Sequence, residues 1–286
     1  MKTEPDPLVS SGWLAERLGD PDLRVVDATW YLPHLGRDAR AEYLAGHLPG
    51  AVFFDIDEIK DPDNPLPHML PAARDFARAV GALGIGDGDH VIVYGGRFGI
   101  AAARVWWMFR VFGHDRVAVL DGGLARWQAE RRPLETGPVS LAPRQFTARL
   151  RPELVRSLAA MRSNLASRAE QVVDARSAGR FAGTEPEFRP GLRGGHIPGS
   201  RNLPYDRLFR ADDGTLLEPE ALRQAFAGAG VDIDKPVVTT CGSGVSAAVL
   251  AFGLYRLGRR NVAVYDGSWT EWAGRADTPV TTGPPR

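Results

Sequence analysis

Pro236-Val237-Val238-Thr239-Thr240-Cys241-Gly242-Ser243-Gly244-Val245-Ser246, continued by Ala247 to Leu257, reads as strand, turn and helix in immediate succession. The first five residues are β-branched or apolar with no polar alternation, the pattern of a strand buried on both faces. The run from Ala247 is too long for a strand and rich in good helix formers. Cys241 therefore stands at the carboxyl end of a parallel strand, on the edge of an α/β sheet where ligands bind. Gly242 and Gly244 let successive N–H groups of the turn point inward, and with the helix N-terminus they form a positive nest. A thiol in that setting is expected to be partly thiolate at neutral pH, and the nest suits an anionic group on sulfur. The alternative is an inert cysteine ending a strand, but such a residue needs no glycine turn.

The strand belongs to a repeat. Val25-Val26-Asp27-Ala28 matches Val172-Val173-Asp174-Ala175, His47-Leu48-Pro49-Gly50 matches His196-Ile197-Pro198-Gly199, Val91-Ile92-Val93-Tyr94 matches Val237-Val238-Thr239-Thr240, and Asp121-Gly122-Gly123 with Trp127 matches Asp266-Gly267-Ser268 with Trp272. The offsets of 147, 149, 146 and 145 residues keep one order at nearly one spacing, so a tandem duplication is expected. Within each copy short apolar runs alternate with helical ones. Arg24 to Val26, Val91 to Tyr94 and Val117 to Leu120 read as strands; Pro71 to Leu83 and Ala101 to Val111 read as helices. Each copy is thus expected to be a small α/β domain with a mostly parallel sheet flanked by helices. The boundaries read as 8–135, a linker over 136–152, and 153–282. The 145-residue offset sets Gly96, within Gly95-Gly96-Arg97-Phe98-Gly99-Ile100, opposite Cys241, so only the second copy has a nucleophile.

Composition narrows the classes. The 286 residues carry 35 Lys+Arg against 35 Asp+Glu, a formal net charge of zero, so no global charge points to nucleic acid or a membrane surface. No apolar run approaches the ~18 residues of a membrane span, and Met1 to Ser10 lacks the basic start and apolar core of a secretion signal. A cytoplasmic location is the expectation. One cysteine excludes an internal disulfide or a multi-cysteine metal site, and the six histidines lack metal-binding spacing, so no metal is expected.

Tandem copies, a silent first copy and Cys-x-x-Gly-Val-Ser at a strand-to-helix turn resemble the two-domain rhodaneses. The neutral loop Cys241-Gly242-Ser243-Gly244-Val245 is similar to the mercaptopyruvate-using branch, whose thiosulfate-preferring relatives usually carry basic residues where Gly242 and Ser243 stand. Ala51-Val52-Phe53-Phe54-Asp55-Ile56-Asp57, Pro67-His68-Met69-Leu70-Pro71, Arg104-Val105-Trp106-Trp107-Met108-Phe109-Arg110 and Gly179-Arg180-Phe181-Ala182-Gly183-Thr184-Glu185-Pro186 extend the resemblance over about residues 8 to 280. The resemblance implies two tandem rhodanese-like domains and a sulfurtransferase. It would move a sulfane sulfur from 3-mercaptopyruvate to a thiol such as that of thioredoxin, or to cyanide, through a Cys241 persulfide, releasing pyruvate and requiring no organic cofactor. Thiosulfate as donor is the alternative.

The resemblance further implies roles. Cys241 accepts the sulfur and Ser243 handles a proton beside it. Asp57 and His68 reach the site from the first copy. Arg180 and Arg189 grip the donor's carboxylate and keto oxygen, and Gly242, Gly244, Val245 and Ser246 form the cradle. Arg180 has a plain competitor, a surface ion pair with Glu185. Arg180 and Arg189 are expected away from the loop, leaving the surroundings of the sulfur neutral. His47, His196, Asp27 and Asp174 recur in both copies and read as structural; Trp127 and Trp272 read as packing residues. A cysteine phosphatase would need Arg six positions after the cysteine, and Ala247 stands there. A non-catalytic binding module would have lost the nucleophile.

Overall fold

A computed structural model describes residues 6–284, apart from the side chain of Arg97; Met1–Pro5, part of the stretch read for a secretion signal, lies outside the described residues. The chain divides into two units. The first carries β1 (Leu8–Val9), α1 (Ser11–Ala15), β2 (Leu23–Asp27), α2 (Ala39–Ala45), β3 (Val52–Phe53), α3 (Ala73–Ala82), β4 (His90–Tyr94), α4 (Ile100–Val111), β5 (Val117–Leu120) and α5 (Gly123–Ala129). The second carries β6 (Val155–Arg156), α6 (Leu158–Ser167), β7 (Gln171–Asp174), α7 (Ala178–Ala182), β8 (Arg201–Asn202), α8 (Pro219–Gly228), β9 (Val237–Thr240), α9 (Ala247–Arg256), β10 (Ala263–Tyr265) and α10 (Ser268–Ala273).

The two sheets have the same topology. The first runs β1-β5-β4-β2-β3 and the second β6-β10-β9-β7-β8, each with five strands paired in parallel. β4 and β9 sit centrally, which is why all four residues of Val237–Thr240 are buried. The helix that follows each central strand is also buried on every side: Ala101–Val111 in α4, with Arg104 and Arg110 among them, and the apolar run Ala247–Tyr255 in α9. The cores use matching positions. Val25, Ile92, Ala118 and Trp127 in the first unit answer to Val172, Val238, Ala263 and Trp272 in the second.

The structural histidines and tryptophans repeat as well. His47 Nδ1 meets the Tyr43 carbonyl at 2.8 Å and stacks on that ring; His196 Nδ1 meets the Phe181 carbonyl at 2.9 Å and stacks likewise. Trp127 Nε1 donates to Pro133 O and Trp272 Nε1 to Pro279 O, both at 2.8 Å. Each bond satisfies a buried donor that would otherwise cost about 1–3 kcal/mol.

Residues 136–151 hold no helix or strand yet belong to the first unit, with Arg144 N–H on Gly81 O and Arg151 N–H on Val111 O. Phe146 packs there against Phe76 and Phe109. The first unit also takes in Arg210–Leu216, and the second takes in Asp63–Met69. Among the described residues no helix is long and apolar enough to cross a membrane.

Candidate active site

Cys241 directly follows β9 and is 2% exposed. Its loop is fastened to the start of α10. Cys241 O accepts from Trp269 N–H at 2.9 Å, and Gly242 O accepts from Thr270 N–H at 2.9 Å and from Thr270 Oγ1 at 2.6 Å. The peptides are trans and planar, so the N–H of Gly242 and of Ser243 point opposite to those carbonyls, away from α10. Gly244 takes φ 78°, the left-handed conformation glycine adopts without cost, and this turns the chain into α9. Cys241's own N–H is engaged, donating to Ser268 Oγ at 3.3 Å. The nest expected around the sulfur therefore does not include the cysteine's own amide.

Ser268 went unnoticed in the sequence, although the difference between Asp121-Gly122-Gly123 and Asp266-Gly267-Ser268 marks it. It is fully buried, donates from Oγ to Tyr265 O at 2.7 Å, and holds φ 49°. A left-handed serine costs about 1–2 kcal/mol over glycine. Gly123, its counterpart, holds φ 54°, and a side chain there would collide with the Gly95 carbonyl oxygen. The strained serine is thus confined to the copy that has the cysteine. Ser268→Gly should leave the melting temperature within a few degrees, because relieved strain offsets the three lost hydrogen bonds of Oγ, two of them long at 3.3 and 3.4 Å. The same variant should lower kcat roughly tenfold through a looser Cys241 amide. Thermal unfolding and steady-state rates of one preparation check both; an unchanged kcat refutes the assignment.

Two equivalent hydrogen bonds correct the alignment of the silent copy. Ala28 N–H donates to Tyr94 O as Ala175 N–H donates to Thr240 O, and Leu124 N–H donates to Gly95 O as Trp269 N–H donates to Cys241 O. Gly95, not Gly96, occupies the cysteine's position. The offset is 146 at the strand and 145 at the following turn, so the loop between them differs by one residue. The conclusion that this copy lacks a nucleophile is unaffected.

Arg180 and Arg189 both reach the loop. A methyl group on Gly242 would lie 3.1 Å from Arg180 Nη2 and 3.9 Å from Arg189 Nη1. The expectation that these cations lie away from the loop is therefore overturned: the loop residues are neutral, but two guanidinium groups face the residue next to the cysteine. α7 brings Arg180 there. The helix is capped by Ser177 and ends at Gly183 with φ 77°. Arg180 pairs with Glu187 (Nη2 to Oε2, 2.6 Å), not with Glu185, whose carboxylate instead accepts from Ser177 Oγ at 2.7 Å. Phe188 lies against the guanidinium, its ring centre 4.3 Å from Cζ.

The remaining residues divide between the units. Ser243 is buried and one residue beyond Gly242; Val245 is buried and Ser246 is the residue before α9. His68, buried and left-handed at φ 60°, comes with Asp63–Met69 into the unit of Cys241. Asp57 belongs to the first unit, where it accepts from Trp30 Nε1 at 2.8 Å.

Residues 10–130 and 157–275 each match the Rhodanese-like domain family. A human 3-mercaptopyruvate sulfurtransferase is 48% identical over 94% of this chain and 92% of its own. A bovine thiosulfate sulfurtransferase is 47% identical over the same shares. The crystal structure of SseA from Escherichia coli, a 3-mercaptopyruvate-using enzyme, superposes with a TM-score of 0.85 at 42% identity, covering 92% of this chain and 98% of that one. Two domain matches and relatives of this similarity along nearly the whole length place the chain in the rhodanese family, as a two-domain sulfurtransferase.

Proposed function

We propose that the protein takes the thiol sulfur of 3-mercaptopyruvate onto Cys241, where it becomes the sulfane sulfur of a persulfide, and passes it to a thiol, a protein thiol of the thioredoxin kind or a small one, with cyanide as an alternative acceptor. The Cys241 thiolate attacks the donor sulfur. The carbon–sulfur bond breaks with its electron pair going to carbon, giving the enolate of pyruvate, which takes up a proton. The persulfide rests against the Gly242 and Ser243 amides. An acceptor thiolate then attacks the outer sulfur and releases Cys241 as thiolate. Gly244, Val245 and Ser246 complete the cradle. Ser243 supplies the proton and His68 carries over from the family as its polar partner; Asp57 carries over as a family site residue.

The observation that carries this reading is the convergence of Arg180 and Arg189 on Gly242. A 2-keto acid presents a carboxylate and a keto oxygen in one plane, and guanidinium groups bind such oxygens bidentately. The loop adds no charge of its own, which suits a donor whose negative charge lies on its carboxylate and not on its sulfur. Sequence identity does not separate the donors, since relatives of both names are equally similar. The lack of a basic side chain within residues 241–246 supports mercaptopyruvate. Side-by-side kinetics with the two donors are expected to give a kcat/KM at least tenfold higher for mercaptopyruvate, about 1.4 kcal/mol of preference. A higher kcat/KM for thiosulfate replaces this reading with the thiosulfate one.

A further inference from the structure

Behind Arg180 lies a chain of buried charges. Arg176 is fully buried, held by Asp174 through Nε at 3.0 and 3.1 Å and Nη2 at 2.6 Å, by Gly195 O at 2.8 Å, and against the Trp269 ring at 4.3 Å. It cannot move without unpairing a buried carboxylate. Arg176 Nη1 then donates to Glu187 Oε1 at 2.6 Å. The other oxygen, Glu187 Oε2, accepts from Arg180 Nη2 at 2.6 Å and Nε at 3.2 Å. Glu187 is only 3% exposed and Arg180 11%. One carboxylate thus ties an immobile arginine to the arginine beside the cysteine loop.

Arginine has four rotatable side-chain bonds, and a guanidinium left to itself loses affinity each time it must be ordered by a ligand. Here two faces of the problem are solved in advance. Glu187 fixes the Nε–Nη2 edge, and Phe188 covers one face of the plane. Nη2, the atom Glu187 holds, is also the guanidinium atom nearest Gly242, so the carboxylate fixes the very group that faces the loop.

We propose that Glu187 is the positioning residue for Arg180, transmitting the fixed orientation of Asp174–Arg176 to the guanidinium that receives the donor. The proposal rests on the reading of Arg180 as a donor contact. Glu187 itself makes no contact with the donor, so its loss should act on binding and only through Arg180.

The test is a double-mutant cycle in the full chain, using 3-mercaptopyruvate as donor. Glu187→Gln is expected to raise KM roughly tenfold and to change kcat less than threefold, the pattern of lost binding contacts. In an Arg180→Gln background the same substitution should change KM less than twofold, because neighbours acting as one unit are not additive. If Glu187→Gln does not fold, Glu187→Asp serves in the same cycle: it leaves Arg176 a carboxylate partner but is one methylene too short to hold both arginines. Additive effects of the two sites, or a parallel loss of kcat and stability with KM unchanged, overturn the positioning role. If Arg180→Gln alone leaves KM unchanged, the reading of Arg180 as a donor contact fails instead, and the two failures are distinguishable.

Discussion

Cys241→Ala is expected to abolish sulfur transfer while leaving the fold intact. Incubated with donor and stripped of excess, the unmodified protein should gain the mass of one sulfur atom, removable by reductant; the variant should gain none. With a single cysteine in the chain no second thiol can substitute. Removing a nucleophile commonly costs on the order of 10⁴–10⁶ in kcat, so the residual rate should be indistinguishable from the donor's reaction in buffer. Stability should move little, since a buried cysteine behaves as a small hydrophobe close in size to alanine. Measurable turnover in a homogeneous Cys241→Ala preparation would remove the sulfur from the mechanism.

Arg180→Ala should give the second largest change. A charge-assisted hydrogen bond is worth about 1.5–3 kcal/mol, which converts to roughly ten- to a hundredfold in KM for mercaptopyruvate. kcat should fall less, because the carboxylate that Arg180 receives keeps its charge throughout the reaction. The substitution also strands one oxygen of Glu187, but Arg176 remains bound to the other, so the buried network keeps a charge partner. A change confined to kcat would mean that Arg180 acts on the breaking bond, and would count against the carboxylate assignment.

Much of this was legible before any coordinates. The repeat identified two copies, and β5 falls on Val117–Leu120 as the apolar run suggested. Strand-turn-helix punctuation located Cys241 correctly because a buried strand, a Gly-x-Gly turn and a long apolar run each have a strong local signature. What failed was whatever depends on tertiary reach. Glu185 and Glu187 stand on either side of Pro186, and sequence spacing cannot say which carboxylate turns back to Ser177 and which turns to Arg180. Arg180 and Arg189, 61 and 52 residues before Cys241 in the chain, are expected away from the loop, yet both converge on Gly242. The 145-residue offset of the following turn points to Gly96 and the 146-residue offset of the strand to Gly95, because the loop differs in length between the copies. Ser268 was passed over because a serine in a turn gives no sign that its backbone is left-handed.

The burial of β9 and α9 bears on how the sulfur is presented. Amides in such buried elements are expected to be among the slowest of the unit to exchange with solvent. Cys241 lies at the joint between them, on a loop pinned by four hydrogen bonds to the start of α10. Its geometry is accordingly set by the most protected part of the unit, and any motion that admits donor and acceptor belongs to the side chains and segments that approach this joint, not to the backbone that carries the thiol.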